Sequence, residues 1–188
     1  MWHWRAASPR RRGHVRLIQY TANTARSAAF DGGAKPAERR PKFIVGDGAK
    51  RAQVEAASRE LPSVRLFPYQ PRERLAESLS AGDVHVVTMD ARTLGLLEPS
   101  KLYGVMAAGR PVLFIGPATS EAARTVVREG VGEVVANGDV DGAVKALGRL
   151  LAAAGPLGER ARQAFDQTYD RRHRTMALGA LLAQVIQG

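Results

Sequence analysis

This sequence predicts an α/β fold, a doubly wound parallel sheet with helices on both faces, and three observations predict it. Short apolar runs alternate with helical stretches of about ten residues from Lys42 to Ala153, which is the pattern of strands joined by crossover helices. The stretch Glu98 to Ile115, EPSKLYGVMAAGRPVLFI, contains one such unit, a loop and a helix followed by a buried strand. The length, 188 residues, suits one domain with a real core.

The elements follow in order. Val15 to Tyr20 (VRLIQY) reads as a first strand, and Thr21 to Arg26 as the strand-to-helix loop, where open α/β sheets bind ligands. Ser27 to Arg40 should cross over to the next strand, but Gly32, Gly33 and Pro36 interrupt it, so an irregular connection is expected. Lys42 to Val45 is a strand, Gly46-Asp47-Gly48 a tight turn, and Ala49 to Glu60 a helix with Ala52, Val54, Ala56 and Ala57 on its apolar side. Val64 to Phe67 is a strand, Pro71 to Ala81 a helix turning Leu75 and Leu79 inward, and Val84 to Val87 a strand.

In the central stretch Ser100 is a candidate N-cap, and Leu102, Val105 and Met106 recur at helical spacing. Gly109 and Pro111 stop that helix before the strand Val112 to Ile115. Ser120 to Glu129 then reads as a helix, Glu133 to Val135 as a strand and Val140 to Ala153 as a helix. Gly155-Pro156 is read as a break before Leu157 to Thr168, and Arg172 to Gln187 as a last helix carrying Leu178, Leu181, Leu182, Val185 and Ile186. That helix either packs at home or presents an apolar face to a partner. The whole is a Rossmann-like layer sandwich of about six parallel strands over residues 15–188, behind a basic tail at 1–14.

Charge separates the tail from the domain. The net charge is +10, yet residues 1–40 hold nine basic residues against two acidic, and residues 41–188 nineteen against sixteen. A balanced domain behind a basic front is weak ground for nucleic-acid binding. Trp2, Trp4 and Arg10-Arg11-Arg12 admit two readings, an interfacial contact with anionic lipid and a disordered tail; the lack of a sustained apolar face favours the second. Without cysteine there is no disulfide, thiolate metal site or Cys nucleophile, which fits a cytoplasmic protein. Histidines and carboxylates show no metal-ligand spacing, and no Walker A or G-x-S-x-G sequence occurs, so neither a metal nor a cofactor is expected. His85, alone inside a strand, reads as structural.

Candidate site residues lie where loops leave the carboxyl ends of strands. Lys50 and Arg51 place two cations in the first turn of a helix, and Lys101 stands at the start of another. A cation there opposes the helix dipole, and an anion between them would offset that. Spacing alone leaves a second reading open for each, a solvated surface charge.

The run from Pro99 to Pro117, PSKLYGVMAAGRPVLFIGP, resembles the donor-site segment of GT-B glycosyltransferases. It is most similar to the bacterial group-1, family 4 enzymes that build surface polysaccharides. Tyr20-Thr21-Ala22-Asn23, Gly46 to Arg51 and Leu66-Phe67-Pro68-Tyr69-Gln70-Pro71 extend the resemblance in family order over roughly residues 15 to 188. The resemblance implies a single half of a GT-B fold, the C-terminal donor-binding domain. It implies that Asn23 lies in the loop under the donor phosphates and that Lys50 reaches a phosphate. Tyr69 would offer a face and Gln70 an amide to the nucleotide base. Ser100 and Lys101, with the Leu102 backbone N–H, would contact phosphate or ribose.

The sequence also departs from the family pattern. Ala22 and Ala25 stand where the family carries glycine, and Gly104 where many members carry a ribose-holding glutamate, with Glu98 and Glu121 as nearby substitutes. No catalytic residue is identified.

The function implied is donor binding in transfer from a nucleotide sugar to a saccharide or lipid-linked acceptor, with a separate acceptor-domain chain as partner. Binding without transfer, as in a decayed fragment, is the alternative. The expected location is cytoplasmic, with peripheral contact at the inner membrane face left open.

Overall fold

The structure, a computed structural model, describes residues 17–19, 42–46, 51–61 and 63–187. Six strands form one sheet, all parallel, in the order β3-β2-β1-β4-β5-β6. They are β1 Leu17–Gln19, β2 Lys42–Val45, β3 Val64–Phe67, β4 Val84–Thr88, β5 Val112–Ile115 and β6 Gly132–Val135. The helices are α1 Arg51–Glu60, α2 Leu75–Ser80, α3 Lys101–Ala107, α4 Glu121–Glu129, α5 Val140–Ala152, α6 Ala154–Ala164 and α7 Arg171–Gln187. The expected parallel sheet is thus observed. Residues 1–16 and the 20–41 connection, with the expected irregular crossover and the substitutions Ala22 and Ala25, lie outside the described residues.

Alternation along the central strands builds two cores. On one face Val87, Met89, Val112 and Phe114 pack against Leu102, Val105 and Met106 of α3, Ala122 and Val126 of α4, and Ala161 and Ala164 of α6. On the other, Val84, Val86 and Leu113 meet Ala143, Ala146 and Leu150 of α5. Successive side chains of a strand point to opposite faces, so a run apolar at every position is buried on both sides.

Several details differ from expectation. Leu75 is exposed, because Arg72–Arg74 form a 3-10 turn and α2 starts only at Leu75, which leaves Leu79 as the buried contact. In α1 Val54 is buried, while Ala52 and Ala56 are exposed. Gly155-Pro156 does not break the chain. Both residues fall in the first turn of α6, where a proline removes no intrahelical hydrogen bond, so α5 and α6 are separated by Ala153 alone.

Beyond α6 a π-helical turn, Phe165–Tyr169, redirects the chain. Tyr169 is 9% exposed; its hydroxyl donates to Glu129 at 2.7 Å and accepts from Arg128 at 2.7 Å. Its ring lies 5.1 Å from that of Tyr103, with the Arg174 guanidinium 5.3 Å from its centroid. From there α7 extends with Leu178, Leu181, Leu182, Val185 and Ile186 all exposed, so these residues do not pack at home.

Two contacts are testable. Gly158 of α6 lies against the Gly109 carbonyl, where a Cβ would collide with backbone, whereas Gly148 of α5 faces open space. Gly158→Ala should therefore destabilise the fold by ~1–3 kcal/mol in urea denaturation, while Gly148→Ala should stabilise it by ~0.5–1 kcal/mol. Changes of the same sign would contradict this packing.

His85 is 1% exposed in β4, and its Nε2–H donates to the Leu79 carbonyl at 2.8 Å. Burial, with the Arg110 charge adding to it against that hydrogen bond, pushes its pKa from 6.5 down to about 4. The unfolded chain takes up this proton near pH 6.5, the folded one only near 4. Stability is therefore fully present above pH 6.5 and falls as the pH drops toward 4, by ~3 kcal/mol from this group. In His85→Gln the acid-side slope of denaturation free energy against pH should shrink by that amount. An unchanged slope would clear His85 of the effect.

Candidate functional site

Because every strand is parallel, all loops leaving carboxyl ends emerge on one edge. Strands β1 and β4 are neighbours although β2 and β3 lie on one side of β1 and β5 and β6 on the other side of β4. The order of the chain reverses there, and connections leaving in opposite directions open a crevice. The loop from β4 to α3, Met89 to Ser100, leaves β4 at this edge; the residues after β1 lie outside the described residues.

The β4–α3 loop is shaped by polar contacts. Asp90 accepts from the Arg92 backbone N–H at 2.9 Å and pairs with its guanidinium at 2.7 Å, which holds the 3-10 turn Ala91–Thr93. Asn137, after β6, donates from Nδ2 to the Met89 carbonyl at 3.0 Å and fixes the end of β4. Leu94, Leu96 and Leu97 are exposed, Leu96 by 82%. Glu98 then turns toward α4: its carboxylate accepts from the backbone N–H groups of Glu121 at 3.2 Å and Ala122 at 3.1 Å. Ser120 caps the next donor, accepting from Ala123 at 3.2 Å.

Ser100 occupies the position before α3 as expected, but it does not cap. Its backbone is already helical and its side chain accepts no hydrogen bond from the first turn. The turn closes instead through the Pro99 carbonyl, which accepts from the Leu102 backbone N–H at 3.1 Å. That N–H is therefore engaged within the helix, and the Leu102 side chain is wholly buried. Lys101 is half-buried, and burial lowers the pKa of its ammonium from the usual lysine value. Tyr103, two residues on, has its phenol pKa raised by burial first, then by Tyr169 and the Glu121 and Glu98 charges, against Arg174.

Tyr69 and Gln70 stand at the carboxyl end of β3. Tyr69 is 79% exposed, and Gln70 folds back to donate from Nε2 to the Pro68 carbonyl at 2.9 Å. β3 lies three strand spacings, roughly 14 Å, from β4, and Tyr69–Gln70 and Ser100–Lys101 follow those two strands at the same edge, with the ends of β1 and β2 between the strands. Asn23 and Lys50, which follow those two strands in sequence, lie outside the described residues.

Both substitutes for a ribose carboxylate are engaged elsewhere. Glu98 holds α4, and Glu121 pairs with Arg128 at 3.3 Å. Sequence reading missed the Glu98 contact and the Asn137 brace. An acid placed just before a helix-starting Pro-Ser, and an Asn-Gly just after a strand, were the signals available. Among the described residues no cluster of His, Cys, Asp or Glu could hold a metal, and no helix is long and apolar enough to cross a membrane.

Known proteins share this arrangement. The chain is 37% identical over 92 residues to the probable glycosyltransferase WbjE of Pseudomonas aeruginosa, covering 47% of this chain and 23% of that protein. In fold it is similar to the sucrose-phosphate synthase of Thermosynechococcus elongatus, with a TM-score of 0.66 and 23% identity over 91% of this chain and 45% of the other. It is likewise similar to HepE of Anabaena, a structure in complex with UDP, with a TM-score of 0.64 and 13% identity over 91% of this chain and 49% of the other. The chain thus spans about half or less of the length of these relatives. The model for glycosyl transferases group 1 matches residues 35–153, more than half of the sequence. The chain belongs to the group 1 glycosyl transferases, and its sheet is one Rossmann-like half of a GT-B fold.

Proposed function

We propose that this chain binds the nucleotide-sugar donor for a glycosyl transfer that a separate acceptor domain completes. The observation that supports this reading is the strand order, whose reversal at β1 and β4 opens a crevice at the edge from which the loop bearing Pro99 to Lys101 leaves β4. In this reading a nucleoside diphosphate lies along that edge between Ser100–Lys101 and Tyr69–Gln70. The diphosphate lies at the first pair, and the base lies against the second. Lys101 offsets phosphate charge, and the anion in turn offsets the cost of half-burying an ammonium. Asn23 and Lys50 belong to the same proposed site. The UDP complex of HepE makes uridine diphosphate the first ligand to try.

The acceptor domain docks, in this reading, on exposed apolar residues: Leu94, Leu96 and Leu97 of the loop, and Leu178, Leu181, Leu182, Val185 and Ile186 of α7. Transfer also needs a base aimed at the acceptor hydroxyl, which the second wall would supply. Peripheral contact of the assembled enzyme with a membrane face would suit a lipid-linked acceptor. A second reading, donor binding without transfer, draws on one observation: Gly104 replaces the ribose glutamate, while Glu98 and Glu121 are both committed to other contacts.

Two outcomes are expected. Calorimetric titration should show uridine or guanosine diphosphate binding to the chain. Lys101→Ala should weaken that binding by ~1.5–3 kcal/mol while leaving the unphosphorylated nucleoside unaffected. If neither diphosphate binds at millimolar concentration, the site is vestigial. The purified chain alone should also fail to transfer sugar to a saccharide or lipid-linked acceptor at an enzymatic rate, and robust turnover would overturn the need for a second domain.

A further inference from the structure

The loop that carries Ser100 and Lys101 has little packing to hold it. Leu94, Leu96 and Leu97 are 43%, 82% and 54% exposed, and Glu98 and Ser100 are exposed as well. What joins this stretch to the rest of the fold is the Glu98 carboxylate, each of whose oxygens accepts one backbone N–H from the first turn of α4. A charge-assisted pair at a helix N-terminus is among the stronger polar contacts available to an exposed side chain. Helix α4 follows β5, so the tether links the β4–α3 loop to the loop edge beside β5.

We infer that Glu98 is a positioning residue, which ties the β4–α3 loop to α4 and thereby holds Ser100 and Lys101 at the phosphate end of the crevice. The inference rests on the nucleotide reading above for its consequence, but the tether itself is measurable without a nucleotide. Four amides report on the loop: Leu96 and Leu97 donate to the Thr93 carbonyl, Leu102 to Pro99, and Tyr103 to Ser100. With the carboxylate removed, these bonds persist only as long as the loop stays in place by itself. Capping of α4 is separable from tethering, because a free carboxylate can satisfy the two N–H groups without any link to the loop.

The experiment compares wild type, Glu98→Ala and Glu98→Gln, with and without added formate. In Glu98→Ala, hydrogen exchange at the four amides should speed up by about tenfold or more, and formate should not reverse it. Formate should nevertheless raise the thermal midpoint of the variant toward that of wild type in the same formate, since it caps α4. Glu98→Gln, whose amide oxygen accepts one N–H, should fall between the two. Affinity for uridine diphosphate should drop by about tenfold in Glu98→Ala, with uridine itself unchanged and no recovery in formate.

Unchanged exchange, or full recovery of exchange and affinity in formate, would overturn the tether and leave Glu98 a helix cap alone. Faster exchange with wild-type affinity for uridine diphosphate would overturn the positioning role. If exchange responds but wild type binds no nucleoside diphosphate, the tether stands and the donor-site reading fails.

Discussion

Everything at the candidate site depends on the burial of one short helix. Leu102, Val105 and Met106 of α3 are all but inaccessible, pressed onto the face of β4 and β5 that carries Val87, Val112 and Phe114. Fully burying each such side chain stabilises the fold by ~1.5–3 kcal/mol, more than a seven-residue helix could gain from its own hydrogen bonds. Its carboxyl end is fixed as tightly. Gly109 takes the left-handed conformation at φ 64°, its carbonyl meets Gly158, and Arg162 donates to the Ala107 carbonyl at 2.8 Å. A helix so anchored at its base and along its inner face is fixed against the sheet.

The amino end is held differently. Around Ser100 and Lys101 there is little apolar contact, and the contacts that matter are polar and cross between loops: Glu98 to α4, Asn137 to the end of β4, Asp90 within its own turn. Tyr169 adds a brace from the far side, between Arg128 and Glu129 of α4 and the ring of Tyr103. A site wall assembled from such contacts can be adjusted by single substitutions without disturbing the core beneath it, which agrees with where binding residues usually sit on α/β folds.

Exposed apolar surface is concentrated in two places. The loop at Leu94 to Leu97 and the length of α7 leave leucine, valine and isoleucine facing solvent, whereas the central strands β4 and β5 are covered by helices on both faces. Exposed apolar stretches of this kind mark interaction surfaces in soluble proteins.

By itself the sequence determined the architecture. Runs such as Val112 to Ile115 and Val64 to Phe67 have a local signature that survives without tertiary context, because the apolar pattern and the flanking Gly or Pro specify strand and stop together. The family segment around Pro99 to Gly109 was equally legible, since α3 buries the residues its spacing picks out. Only the tertiary structure decided where boundaries and side chains fall when a distant group competes for them. Ser100 looked like a cap, but its backbone is helical and Pro99 closes the turn. Glu98 looked like a spare carboxylate, but α4, more than twenty residues away in sequence, offers it two N–H groups. Gly155-Pro156 looked like a break, but α6 packs its Gly158 against Gly109 and starts early enough to place the proline in a first turn. Periodicity records which face of an element is buried; it carries no trace of the partner that arrives from another part of the chain.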